Sequence, residues 1–234
     1  MCSSLTIHTE RSVLVCLDGI DSSQEAHFSI GRLSLVLGDV ADFFAGLSPS
    51  EQVIVPGNNR ARQQQFASGR RVAKCALQRL GNPTKEILKL DKRPKFPTGT
   101  VGNIAHSKSL AFAAAGKSED FLGIGVDILP VNAVSSKVAK KALLDEERKV
   151  VSMRGDPNLN TVYFCAKEAV YKAVHPLTLE SLTLPDAHVA FDEAANTFTV
   201  RSTTSLRSTN LVETGLGFFR EVAGHWLTLF VIER

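Results

Sequence analysis

The hydrophobic pattern changes period several times along the 234-residue chain. Near the start, SVLVCLDGI (12–20) alternates apolar and polar positions and predicts a strand with Leu14 or Val15 facing a core. After a mixed segment, SPSEQVIV (48–55) offers a serine N-cap and VPGNN (55–59) closes it as a turn. ARQQQFASGRRVAKCALQRLG (61–81) then takes up helical spacing. Phe66, Val72, Ala73, Ala76, Leu77 and Leu80 recur on one face, Arg62, Arg70, Arg71 and Lys74 occupy the other, and Gly81 is a natural stop. RPKFPTGTVGN (93–103) carries two prolines and two glycines and reads as loop.

Two apolar runs follow: SLAFAAAG (109–116), a buried strand, and FLGIGVDIL (121–129), a strand interrupted by glycines and ended by Pro130. SSKVAKKALLDEERKVVSM (135–153) predicts one strongly charged helix, and TVYFCAKEAVYKAVHP (161–176) a packing helix bounded by Pro176. HVAFD (188–192), NTFTVRS (196–202) and HWLTLFVIE (225–233) return to strands. Helices and strands are mixed rather than strictly alternating, so an α+β fold is expected in place of a doubly wound sheet. No period of 20–50 residues is present.

The length fits one larger domain or two halves, and 44% hydrophobic against 22% charged residues allows a sizeable core. No apolar run approaches the ~18 residues of a membrane span, and the N-terminus lacks the basic and apolar regions of a secretory signal. Cys2, Cys16, Cys75 and Cys165 are widely separated without a C-x-x-C pair, which points away from a zinc ribbon or a disulfide framework and toward reduced thiols. A cytoplasmic location is the expectation, with organelle targeting left open. The net charge of +3 hides an asymmetry: from Arg60 to Lys108 twelve basic residues face only Glu86 and Asp91. Such a stretch is either a solvated helix face or a surface for a polyanion. Only Phe66 and Phe96 interleave with the cations, so a small phosphate-rich ligand competes well with nucleic acid.

Candidate chemistry is sparse. In a strand Asp127 and Leu129 share a face, and in a helix Glu168 and Lys172, four apart, share another. If that helix face meets the end of the GVDIL strand, Asp127 and Glu168 converge, and paired carboxylates suit Mg²⁺. The plainer readings are an i, i+4 surface ion pair between Glu168 and Lys172, worth ~0.3–0.5 kcal/mol, and a turn or cap at Asp127. GIG lacks the third glycine and the following helix of a dinucleotide site. His106 has no acid at a telling spacing, and neither G-x-S-x-G nor H-E-x-x-H occurs.

The order of the pieces says more than any one of them. A basic helix, RPKFP, GNIAHS, GIGVDI, D-E-E-R and then F-C-A-K-E-A-x-Y-K-A resembles the 4′-phosphopantetheinyl transferases, in the long single-chain branch that activates surfactin and enterobactin synthesis. The resemblance covers about residues 60 to 178. It implies a pseudo-dimeric α+β fold of two similar halves, 1–118 and 119–234, with the active site between them. The implied reaction moves the phosphopantetheine arm of coenzyme A to a serine of an apo acyl or peptidyl carrier protein and releases adenosine 3′,5′-bisphosphate. By position, Asp127 and Glu168 would hold Mg²⁺, Glu168 would also take the serine proton, and Lys172 would lie on the pyrophosphate. Arg62, Arg70, Arg93, Asn103 and His106 would contact coenzyme A. A monomer without nucleic-acid or membrane partners is implied; the alternative is a non-catalytic coenzyme A, nucleotide or nucleic-acid binder. Leu129 departs from a common glutamate, Ala105 and Cys165 from common serines, and Gln65 from a common acid.

Overall fold

In the computed structural model, residues 5–7, 13–15, 26–30, 32–57, 59–91 and 93–234 are described. The chain divides into two units, Met1–Phe121 and Leu122–Arg234. The first unit contains β1 (Leu5–Ile7), β2 (Val13–Val15), β3 (Ala26–Ile30), β4 (Leu33–Asp39), α1 (Pro49–Val53), α2 (Arg60–Arg79), β5 (Leu88–Leu90), β6 (Arg93–Lys95), β7 (Thr100–His106) and β8 (Leu110–Lys117). Its main sheet has the order β3-β4-β8-β7, all antiparallel, and β1-β2 and β5-β6 are separate hairpins. Of the strand expected at 12–20 only Val13–Val15 is described; its remaining residues and the facing of Leu14 and Val15 lie outside the described residues, as do Cys2, Cys16 and Lys92.

Helix α2 lies across β4, β8 and β7 because its small apolar face meets a strand of small residues. Val72, Ala73, Ala76 and Leu77 pack on Val36, Ala111, Ala113 and Ala115, which share one face of the sheet, and on Ile87 just before β5. Asn59 caps its start by accepting from the Arg62 N–H. Its end is a Schellman turn: Gly81, at φ +72°, donates to Gln78, and Asn82 donates to Leu77. The loop expected over 93–103 is corrected. Residues 93–95 and 100–103 are strand, because Pro94 sits in a two-stranded ribbon where its missing N–H is tolerated, and Gly102 leaves room for the Phe96 ring.

The second unit is formed by β9 (Phe121–Pro130), α3 (Ser136–Ala142), α4 (Asp145–Arg154), α5 (Leu159–Thr178), β10 (Ala187–Asp192), β11 (Thr197–Ser202), α6 (Thr209–Thr214), β12 (Leu216–Val222) and β13 (His225–Glu233). The sheet order is β10-β11-β12-β13-β9, and α5 packs chiefly on β13. The single helix expected over 135–153 is two, broken at Leu143 and Leu144, where Glu147 reaches back to accept from the Leu144 N–H and starts a new helix. Helix α5 begins earlier than expected and runs past Pro176, which in the last turn removes only one backbone bond. β4 and β12 lie in stretches that the sequence pattern left unassigned; pairing with β8 and β13 makes them strands.

Candidate active site

The GIG pair of β9 is explained by the close approach of α5. A methyl on Gly123 would sit 2.5 Å from the Ala173 carbonyl oxygen, and one on Gly125 would overlap the carbonyl oxygen of Ala169. Ala166, Ala169 and Ala173 supply the matching flat face on the helix. Contact this close lets short side chains from strand and helix meet.

Asp127, on β9, is 8% exposed, and Lys172, on α5, places Nζ 2.5 Å from its Oδ1 and 3.2 Å from the Val126 carbonyl oxygen. The i, i+4 surface ion pair therefore does not form; the ammonium crosses to the strand. Burial opposes the charge of Lys172, yet the carboxylates of Asp127 and Glu168 outweigh it and leave the pKa raised. Glu168 is half-buried beside them. Burial and the Asp127 charge push its pKa up, against the pull of Lys172. Among the described residues its carboxylate has neither a hydrogen bond nor an ion pair.

Two carboxylates with one ammonium between them leave negative charge that burial makes costly, and a divalent cation would relieve it. The donor set thus fits a hard cation with oxygen ligands. No cluster of three His, Cys, Asp or Glu exists among the described residues, so only two protein carboxylates are offered. Leu129, two residues after Asp127 on β9, packs against the core of the unit. Cys165 lies behind the site, fully buried, with the Thr228 hydroxyl 3.3 Å from its Sγ. Burial, then the nearby Asp127 charge, push its thiol pKa well up, so it stays protonated. Lys167, the neighbour of Glu168, turns away and pairs with Glu147 at 2.7 Å.

The first unit gathers cations around Phe66. Arg62 donates from Nη1 to His106 Nε2 at 2.6 Å and to Gln65 Oε1 at 3.2 Å, and Gln65 donates to the Ser107 carbonyl oxygen. The start of α2 is thereby tied to the end of β7. Arg70 is buried instead of exposed: its Nε donates to the Ile87 carbonyl oxygen at 2.6 Å and its guanidinium covers the Phe66 ring at 4.3 Å. Burial, only partly offset by Glu51, brings its pKa down to about 10. Lys89 lies 5.2 Å from the centre of the same ring. Its pKa is lowered by partial burial and by the charges of Arg70 and Arg62.

Crowded cations of this kind favour an anion. Lys89 went unremarked in the sequence, where only the general run of charge flagged it; the fold of the β5-β6 hairpin brings it to Arg62 and Arg70. Arg93, half-buried on β6, lies 4.0 Å from Asp91 and has no described contact with this group. Asn103, three residues before His106, points to the opposite face of β7.

Residues 50–116 match the 4′-phosphopantetheinyl transferase N-terminal domain, and residues 123–223 match the 4′-phosphopantetheinyl transferase superfamily. The chain is 33% identical over 156 residues to the 4′-phosphopantetheinyl transferase PptT of Mycobacterium tuberculosis, an overlap of 65% of this chain and 69% of that protein. The chain belongs to the 4′-phosphopantetheinyl transferase family. It is also 33% identical over 160 residues to the 4′-phosphopantetheinyl transferase Svp of Streptomyces mobaraensis, covering 66% of this chain and 65% of that one. Enterobactin synthase component D of Salmonella typhimurium is 28% identical over 128 residues, covering 54% and 52%. The chain thus spans about two thirds of the length of the first relatives and about half of the third. The expected family, its long single-chain branch, its α+β fold class and its transferase class are borne out. Among the described residues of this phosphopantetheinyl transferase, no helix is long and apolar enough to cross a membrane.

Proposed function

We propose that this phosphopantetheinyl transferase moves the 4′-phosphopantetheine arm of coenzyme A to a serine of an apo acyl or peptidyl carrier protein, depends on Mg²⁺, and releases adenosine 3′,5′-bisphosphate. The observation that carries the reading is the grouping of Asp127, Glu168 and Lys172 where β9 and α5 meet at glycine and alanine. The serine oxygen bonds to the β-phosphorus of coenzyme A, and the bond from that phosphorus to the oxygen bridging to the α-phosphate breaks. Glu168, unpaired among the described residues, takes the serine proton directly or through a water. Lys172, kept protonated by its two carboxylates, offsets the charge that grows on the departing bisphosphate. Asp127 orients Lys172. Mg²⁺ held by Asp127 and Glu168 would neutralise phosphate charge.

For coenzyme A recognition, the favoured residues are Arg62, Lys89 and His106 of the first unit, with Arg70 shaping the group through Phe66 and Ile87. Arg93 and Asn103 are kept as coenzyme A contacts on the resemblance alone. Retention of all three residues at the β9–α5 meeting favours turnover over a binding-only protein. The test is to incubate the chain with coenzyme A, Mg²⁺ and apo acyl or peptidyl carriers and to weigh the carriers by mass spectrometry. Gain of the phosphopantetheine mass is the expected outcome; no gain on either class of carrier would falsify the reading.

A further inference from the structure

One side-chain device stands twice in the chain, once in each unit. In the first, Glu51 of α1 accepts from the Ser48 N–H through Oε2 at 2.9 Å and from the Ile87 N–H through Oε1 at 2.8 Å. The Lys74 ammonium of α2 lies 2.6 Å from its Oε2. In the second, Glu147 of α4 accepts from the Leu144 N–H through Oε2 at 2.8 Å and from the Val189 N–H through Oε1 at 2.9 Å. The Lys167 ammonium of α5 lies 2.7 Å from its Oε2. The matching extends to the individual oxygens. Both glutamates are fully buried, and Lys167 with them.

A buried carboxylate is costly unless its lone pairs are filled, and each of these is filled by groups from three separate segments. Each therefore fastens a short helix, an extended segment and a long helix at one point. Consecutive residues of a helix point ~100° apart, so any rotation of α5 that frees Lys167 swings Glu168 by the same angle. Lys74 has Cys75 in the place of Glu168. Its consequence lies one turn earlier, at Arg70, which is bonded to the carbonyl of Ile87, the same residue whose N–H Glu51 holds.

We propose that the two Glu–Lys pairs are positioning latches with separate outputs: Glu147–Lys167 sets α5 for the chemical step at Glu168 and Lys172, and Glu51–Lys74 sets α2 for coenzyme A recognition. The proposal rests on the transferase reading above. Neither lysine touches substrate in it; each acts through a neighbour.

The experiment compares Lys167→Met and Lys74→Met in the full chain, with kcat and KM for coenzyme A, calorimetric coenzyme A binding, and melting temperature measured for each. Lys167→Met should lower kcat about tenfold or more and leave the coenzyme A Kd within about threefold, whereas Lys74→Met should weaken Kd about fivefold or more and leave kcat within about threefold. Lys167→Arg, which keeps the buried charge pair, should recover most of kcat. If both methionine variants instead lose kcat and Kd together in proportion to their loss of melting temperature, the pairs are structural only and the proposal is overturned. Should Lys167→Met fail to fold, the double variant Lys167→Met with Glu147→Gln removes the uncompensated charge and is read against the same two outcomes. A wild-type chain that transfers nothing would overturn the transferase reading and this proposal together; an active wild type whose variants lack the split overturns the latches alone.

Discussion

Glu168 is held in a setting that disfavours its charge, and that has a consequence for stability as well as for catalysis. Its pKa in the folded chain is raised by burial and by Asp127, so the folded state binds the proton more tightly than the unfolded state does. The charged form therefore costs stability above that raised pKa, and the cost fades as pH falls through it toward the ordinary carboxylate value. Without divalent cations, Glu168→Gln should melt higher than wild type at neutral pH, with a gap that closes toward about pH 4. Thermal melts of both proteins across that range check it; a gap independent of pH would sink the assignment. The same variant should lose transfer by ~10²–10⁴-fold while keeping coenzyme A binding. At this scale the sequence reading was half legible. Strand and helix periodicity let Asp127 and Glu168 converge only if the helix face met the end of the strand, and the family resemblance, not the spacing, put them at one site. Local spacing paired Lys172 with Glu168, and only the crossing to β9 shows that Asp127 takes it. Arg70 was likewise read as a surface cation, since nothing in a helical pattern shows that a guanidinium will find a carbonyl and a ring inside.

Among elements, the meeting of β9 and α5 is the one on which the site depends. Gly125→Ala would press a methyl against the Ala169 carbonyl, a clash with backbone that no rotamer relieves. The expected cost is about 3 kcal/mol, at the upper end for overpacking, with loss of transfer. Gly46→Ala, where nothing lies within 4 Å of the added carbon, should stay within about 0.5 kcal/mol of wild type. Denaturant melts of the pair decide the matter, and equal stability of the two would show that α5 does not approach β9 as described. Glycine here was legible as an interruption of a strand but not as a seat for a helix, because the partner lies more than forty residues away. Elements with strong periodicity, such as α2, β8 and β13, were read nearly to their ends. The break between α3 and α4 was missed because a single buried carboxylate, Glu147, starts the new helix with bonds to Leu144 and, far along the chain, Val189.

For the whole molecule, the charge asymmetry was the most legible property and the identity of its partner the least. The excess of basic residues from Arg60 to Lys108 left a solvated helix face and an anion-binding surface both open. The fold selects from that excess: Arg71 lies over Phe43 and Lys74 is latched to Glu51, while Lys89 and the buried Arg70 share the Phe66 ring and Arg62, bonded to His106, is close enough for its charge to act on Lys89. If exposed cations of this group meet the phosphates of coenzyme A, their attraction must be screened by salt, since the Debye length falls from about 14 Å near 0.05 M to about 4 Å near 0.5 M. The coenzyme A Kd should weaken by about tenfold over that range. Arg62→Gln and Lys89→Gln should each bind more weakly at low salt and show a shallower dependence, because each removes a screened charge. Arg70→Gln should behave differently: its charge is buried, so its loss should appear as reduced melting temperature more than as a change in slope. Calorimetric titrations of coenzyme A at several salt concentrations separate these cases. Slopes unchanged in Arg62→Gln and Lys89→Gln would mean that the phosphates are met elsewhere in the chain.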